Sequence, residues 1–414
     1  MSKKDSFKPK KKRTPRPAIL TGFQNDKPQT KEKYFNKEKA YITAKHYGFE
    51  GVFAPAIHQV DKDAAKTLRK NLKGELKIEK ELHSLESRVA VLRHFLAGTL
   101  ATESQPAIIY YDHPHGKEQK ITNLEIIGSA KSVAEAMVLK TTLAILKEYG
   151  HKKLTIEINS VGDKESMAKF NRELSAFCRK NINTMPAAVR KEVTKDALLF
   201  LDKAYNKKID LKSAVPQPVG LLNEFSRTHF MEVLEFLEKM NASYRIRHNL
   251  IGHRVYSSHT VFRIIENIDT PKEKVLAVGS RFNSLSKKVS LKRDVPAIGV
   301  KILIEKPSDS KISAKKINDR ESKFYFIQFG FSAKIKSLEI IEKLREANIS
   351  VAQSLSKDKL SSQLTYAEQQ KFPYLLIVGQ KEVIDKTVLV RERVSRSQTA
   401  VPIDELVDYL KKLP

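Results

Sequence analysis

The stretch Leu250–Ile264, LIGHRVYSSHTVFRI, decides how this 414-residue chain is read. Its second half, with the segment KVLAVGSRF (Lys274–Phe282), predicts two consecutive strands after a helix over residues 222–240. His253 and His259 flank Tyr256, and Ser257 and Ser258 lie between them. A serine–histidine pair needs a third group to orient the base. No carboxylate is evident nearby, so these residues read as strand positions.

Working outward, residues 1–17 (MSKKDSFKPKKKRTPRP) carry eight basic residues, one acid and three prolines. This composition cannot bury a core and reads as a disordered basic arm. An amphipathic helix is expected over 32–47, ended by Gly48. GVFAPAIHQV follows as an edge or interface strand, because Pro55 lacks a ladder donor. A basic helix is expected over Ala64–Leu76 and another over Ser87–Ala97. AIIYY (Ala107–Tyr111) and ITNLEIIGS flank the nine residues DHPHGKEQK and predict an antiparallel hairpin. A helix over 132–148, the strand LTIEINS and a helical stretch near 164–210 complete the first part. Residues 307–323 are polar and read as a linker. Beyond them strands and helices alternate, which predicts a small α/β domain with a mixed sheet. The expected organisation is therefore a basic arm (1–17), a large domain (18–306) with a helical insertion about 164–215, a linker, and a C-terminal domain (324–414).

The net charge is +28, from 76 Lys+Arg against 48 Asp+Glu. A field of this sign attracts polyanions, RNA being the commonest soluble one. The excess is mostly lysine, which suits phosphate contact more than bidentate base reading. Lys10, Lys11, Lys12 and Arg13 suit a phosphate backbone. Lys66, Arg69, Lys70 and Lys73 are spaced to share one helix face. Further clusters are Lys287/Lys288/Lys292/Arg293 and Lys311/Lys315/Lys316/Arg320. No apolar run approaches the ~18 residues of a membrane span, and the charged N-terminus is not a secretory signal. The single cysteine, Cys178, excludes an intrachain disulfide. A cytoplasmic setting fits, although PKKKR also resembles a nuclear import signal. Asp112, His113 and His115 read as turn residues rather than metal ligands. Walker and GxGxxG patterns are absent.

The motifs, in order, resemble the class II histidyl-tRNA synthetase family. LIGHRVYSSHTVFRI is similar to that family's LVRGLDYYTGTVFE and keeps Leu250, Tyr256, Thr260, Val261 and Phe262. YGFEGVFAPAI (Tyr47–Ile57) resembles motif 1, with Pro55 as its proline. HSLESRVAVLR (His83–Arg93) resembles LRPEGTAGVVR and retains Glu86 and Arg93. LEIIGS, INSVGD, GSRFNSL (Gly279–Leu285) and PAIGVKILIEK (Pro296–Lys306) resemble VEVIGS, INSLGD, GGRYDGL and PAVGFAIGLER. SSQLTYAEQQKFPYLLIVGQKEVIDKTVLVRER resembles the anticodon-binding domain. The resemblance implies an α/β fold: a class II antiparallel sheet with helices, an anticodon-binding-like α/β domain, and a homodimer through motif 1.

The chain departs from the family where the chemistry lies. Gly252 stands for the catalytic arginine and Val255 for an aspartate. Lys306 stands for the motif 3 arginine. The motif 2 loop is shortened and carries no arginine. Losing one preorganised donor costs roughly 3 kcal/mol of transition-state stabilisation. The resemblance therefore implies a vestigial substrate pocket formed by Glu86, Tyr256, Ser257 and Lys306, with no confident catalytic residue. It implies tRNA or another structured RNA as partner through Lys10, Lys11, Lys12, Arg13, Lys66, Arg69, Lys70 and Gln363. No metal or cofactor is expected. The alternative is a divergent, active histidine–tRNA ligase using ATP and Mg, with Arg254 and Arg281 as replacement arginines. A regulatory subunit related to histidine biosynthesis is a third reading.

Overall fold

The computed structural model describes residues 38–70, 72–98, 100, 106–115, 119–193, 196–206, 215–289, 294–305, 322–354 and 359–413. The basic arm, Lys306 and most of the expected linker lie outside them. In chain order the first part contains α1 (Lys39–His46), β1 (Glu50–Gly51), α2 (Gln59–Arg69), α3 (Lys77–Glu81), α4 (Leu85–Leu96), β2 (Ala107–His115) and β3 (Gln119–Ile127). It continues with α5 (Val133–Glu148), β4 (Leu154–Gly162), α6 (Lys164–Asn181), α7 (Ala187–Val193), α8 (Ala197–Asn206) and α9 (Glu224–Lys239). Strands β5 (Tyr244–Ile246), β6 (Ser258–Glu266) and β7 (Lys274–Arg281), helix α10 (Leu285–Lys288) and β8 (Ala297–Glu305) close it. The second part contains β9 (Phe324–Gln328), α11 (Phe331–Glu346), β10 (Val351–Gln353), α12 (Leu360–Gln369) and β11 (Tyr374–Val378). It ends with α13 (Gln380–Asp385), β12 (Thr387–Glu392), β13 (Gln398–Pro402) and α14 (Leu406–Lys412).

The protein is α/β with two sheets. The larger has eight strands in the order β1-β2-β3-β8-β7-β6-β4-β5. Its six central strands are antiparallel throughout, and only the short outer strands β1 and β5 pair in parallel. The smaller has five strands in the order β10-β9-β11-β12-β13 and is mixed, as the alternating pattern predicts.

Alternation along the long strands gives the large sheet two unlike faces. Ile108, Tyr110, Leu124, Ile126, Phe262, Ile264, Val300 and Ile302 belong to an apolar layer with α5 and α9. Ile109, Tyr111, Val261, Val278 and Ala297 belong to a second layer with α4 and the α6–α8 segment. The buried ionic residues Glu125, Glu157 and Arg263 lie on alternate positions of these same strands. Helix α11 joins the two parts. Its Arg345 Nη1 meets Glu148 at 2.8 Å, and its Glu342 accepts from the Tyr47 hydroxyl. Phe331 packs edge-on against Phe236 at 5.0 Å between centroids.

Several boundaries differ from the sequence reading. The strand expected over GVFAPAIHQV is only Glu50–Gly51, because Pro55 supplies no ladder donor and α2 already begins at Gln59. The expected basic helix runs Gln59–Arg69, so Lys73 lies beyond its end. The hairpin strands extend through His115 and resume at Gln119, which shortens the nine-residue connection to three, 116–118. Among the described residues the expected helical stretch consists of the three helices α6, α7 and α8.

Candidate functional site

Helix α4 sets out the site. Ser84 caps it, its Oγ accepting from Ser87 N at 3.1 Å. Arg93 bonds Asp61 through Nε at 2.8 Å and Nη2 at 2.9 Å, which fastens α4 to α2. Asp61 is fully buried and also accepts from His58 N at the start of α2. This arrangement fixes where Glu86 and Arg88 point.

Arg88 enters the interior and is 0% exposed. Its Nη1 donates to Glu125 Oε1 on β3 at 2.7 Å. The guanidinium lies 4.3 Å from the Phe282 ring centroid and 5.9 Å from that of Tyr256. The Tyr111 hydroxyl donates to the same Glu125 oxygen at 2.5 Å. Gly299 on β8 leaves room for this group, since a Cβ there would stand 2.5 Å from Arg88 Nη1. Burial raises the Glu125 pKa against the opposing pull of Arg88. Burial also holds His83 well below the usual histidine range, with Arg88 and Lys301 acting in the same direction. Sequence reasoning missed Arg88. The available signal was its position in HSLESRVAVLR, where LRPEGTAGVVR has threonine.

The residues expected to form a substrate pocket are engaged within the chain. Tyr256 is fully buried, and its hydroxyl donates to His83 O at 2.9 Å. Its ring stacks on His253 at 4.3 Å. Ser257 Oγ lies 3.1 Å from Ser280 Oγ and accepts from His253 N at 2.9 Å. Glu86 turns outward to a bidentate pair with Arg69. Arg69 was expected on an RNA-facing surface; its guanidinium is neutralised by Glu86 instead. Lys306 lies outside the described residues, as do Lys10, Lys11, Lys12 and Arg13.

Gly252 adopts φ +80, and a Cβ added there would stand 2.6 Å from Ser257 Oγ and 2.9 Å from Val261 Cγ2. No side chain fits without moving β6. His259 also has positive φ, at +48. The arginines expected as replacements are structural. Arg254 bonds Glu79, Asp196 and the carbonyls of Lys73 and Gly74. Arg281 is 0% exposed and bonds Glu135 Oε1 at 2.7 Å and Ser129 O at 2.7 Å. Glu135 also receives His229 at 2.7 Å and Thr260 at 3.1 Å, and its carboxyl is held far below the usual range. On β4, Glu157 gathers Arg245, Arg247 and Arg263. Arg245 also bonds Asp269 at 2.7 Å and Arg263 lies 3.7 Å from Glu81, so these guanidiniums are matched by carboxylates.

Gln363, expected to touch RNA, is 0% exposed. Its Nε2 donates to Gln328 O at 2.8 Å and its Oε1 accepts from Gln328 N at 3.2 Å. It ties α12 to β9, because a buried backbone end needs its donor and acceptor satisfied. Lys66 and Lys70 are exposed, as expected of a basic helix face. Asp112 accepts from Tyr110 at 2.8 Å and Thr122 at 2.6 Å, so it is committed to the hairpin. Among the described residues no group of three or more His, Cys, Asp or Glu could hold a metal. Cys178 is a free thiol, pushed up to about 11 by burial. No described helix is long and apolar enough to cross a membrane.

Residues 327–413 match the anticodon binding domain family. The chain is 25% identical over 344 residues to histidine–tRNA ligase of Bacillus licheniformis, covering 79% of this chain and 80% of that protein. It is 26% identical over 361 residues to histidine–tRNA ligase of Bacillus subtilis, covering 81% and 85%. Among solved structures, apo S. aureus histidyl-tRNA synthetase aligns with a TM-score of 0.49 at 20% identity, covering 95% of this chain and 100% of that one.

Proposed function

We propose that this chain, which belongs to the histidyl-tRNA synthetase family, holds tRNA or another structured RNA without activating histidine. The observation that carries the reading is Arg88. Its guanidinium lies against Tyr256 and Phe282, paired with Glu125, in the region the family motifs assign to the amino acid. The buried Arg88 cation offsets the Glu125 charge that would otherwise attract an ammonium substrate. Gly252 supports the same reading, since it has neither the guanidinium nor the space for one. Adenylation places charge on phosphates, and preorganised arginines are the means of holding it.

RNA binding is supported by the net charge of +28, the anticodon-binding-like C-terminal part and the exposed lysines of α2. Exposed apolar residues Phe53, Ile57 and Val60 follow β1, where motif 1 resemblance places a homodimer contact. The reading includes that dimer and a cytoplasmic setting.

The test is histidine-dependent ATP–pyrophosphate exchange on purified protein, beside filter binding of tRNA over a salt series. The expected result is no exchange above background and an affinity that falls steeply with salt. Sustained exchange would overturn the reading in favour of a ligase rebuilt on other residues.

A further inference from the structure

A cavity of about 520 Å³ opens at the junction of the two parts, between α9 and the starts of α5 and α11. That volume lies within the roughly 300–1,000 Å³ of small-molecule sites. Helix α9 lines it with Phe225, Thr228 and Glu232, whose spacing puts them on one helix face. Val133, Phe236 and Phe331 supply the rest of its apolar wall. Two of the rings are braced by other rings. Phe331 meets Phe236 at 5.0 Å and 66°, and Phe225 meets His259 at 5.9 Å and 77°. Phe225 is nevertheless 65% exposed, a large ring left facing water. Beside Phe331, Gly330 has φ +89 and a Cβ added there would meet nothing within 4 Å, so this side of the cavity is uncrowded. Glu232 Oε2 accepts from Ser132 Oγ at 2.6 Å, and a carboxylate has lone pairs for a further donor. Lys131 and Lys334 also reach the wall, but each is engaged within the chain and calls for no anion.

We propose that this cavity binds a neutral, planar heteroaromatic of two fused rings that carries an N–H donor. The rings stack on Phe225 and Phe331, and the N–H donates to Glu232. Aromatic pairs gain free energy beyond the area they bury, and covering Phe225 takes a large apolar surface out of water. The wall decides the charge of the ligand. With both lysines engaged, it offers no attraction to an anion; with two lysines against one carboxylate, it offers no net attraction to a cation. A ring without a donor would desolvate Glu232 and return no hydrogen bond. Indoles and purines share the required chemistry. The inference stands apart from the RNA reading, because it concerns a small ligand and residues which that reading does not use.

The test is titration of the full chain with indole, 1-methylindole and adenine in parallel. The chain contains no tryptophan, so indole fluorescence reports the ligand, and equilibrium dialysis follows adenine. Indole or adenine should bind saturably, and the tighter of the two identifies the source as an indole or a purine. 1-Methylindole should bind about tenfold or more weakly than indole, since it forgoes a hydrogen bond to a charged group. Phe225→Ala should weaken the bound ring by about fivefold, the loss of one aromatic pair. Phe225 is exposed, so its replacement tests the site without unfolding the protein. Glu232→Ala should weaken the bound ring and leave 1-methylindole unchanged. No saturable binding of indole or adenine at millimolar concentration would overturn the proposal. So would binding unchanged in both variants, or 1-methylindole bound as tightly as indole.

Discussion

Replacing Arg88 by methionine keeps much of the side-chain volume and removes the charge. Glu125 would then be a carboxylate at 0% exposure with only the Tyr111 hydroxyl as a close partner. Breaking a buried pair from one side costs about 3–5 kcal/mol. At about 2–4 °C per kcal/mol for a domain of this order, the melting temperature should fall on the order of 10 °C at neutral pH. The loss should depend on pH. Burial already raises the Glu125 pKa, and removing Arg88 raises it further. Between the wild-type value, itself above the unfolded one, and the variant's still higher value, the folded variant holds a proton that the folded wild type has released. Stability relative to wild type therefore falls by about 1.4 kcal/mol per pH unit as pH rises through that window. The deficit should be small near pH 4 and complete once Glu125 has ionised. Adding Glu125→Gln should recover most of it. Thermal melts of wild type, Arg88→Met and the double variant across pH 4–8 measure all three effects. A neutral-pH melting temperature within about 2 °C of wild type, or a deficit that does not change with pH, would refute the buried-pair reasoning.

Gly252→Arg should not restore pyrophosphate exchange and should destabilise the fold, because φ is +80 and the new Cβ meets Ser257; exchange and melting assays on the variant check both. Gln363→Ala should cost about 1–3 kcal/mol in denaturant titration, since it leaves the Gln328 backbone unsatisfied; tRNA affinity at fixed salt should stay the same among folded molecules. Replacing Lys66 and Lys70 with alanine should flatten the slope of log affinity against log salt by about two, which filter binding measures. His46, His253 and His259 are each held near about 4 by burial, so the fold keeps them neutral while the unfolded chain protonates them below about 6.5. Their contribution is fully present above that value and is lost as pH falls toward 4, by about 1.4 kcal/mol per unit and per histidine. Acid titration of stability should show this loss, and substituting His253 by asparagine should reduce it.

Sequence alone determined the order of the parts and the kind of sheet each contains. The long strands β3, β6 and β7 carry uninterrupted apolar or alternating runs, and a one-dimensional pattern suffices for such segments. The motif at Leu250–Ile264 was equally legible, including the missing arginine at Gly252. Three strands escaped: β5 and β13, because three and five residues carry little periodicity and their pairing depends on neighbours distant in sequence, and β8, whose run PAIGVKILIEK was matched as a motif and not read as a strand. Tertiary structure alone decided which charges meet. Arg88 and Glu125 are 37 positions apart, Arg281 and Glu135 are 146, and Arg254 and Glu79 are 175. Nothing in the local sequence distinguishes those arginines from others free to contact a phosphate. The turn of α4 sends Glu86 outward to Arg69 and Arg88 inward to Glu125, so a residue expected in the pocket leaves it and an unremarked neighbour fills it. Burial makes the assignment firm: once inside, each guanidinium must be paired, and the nearest carboxylate on the sheet decides where it stays.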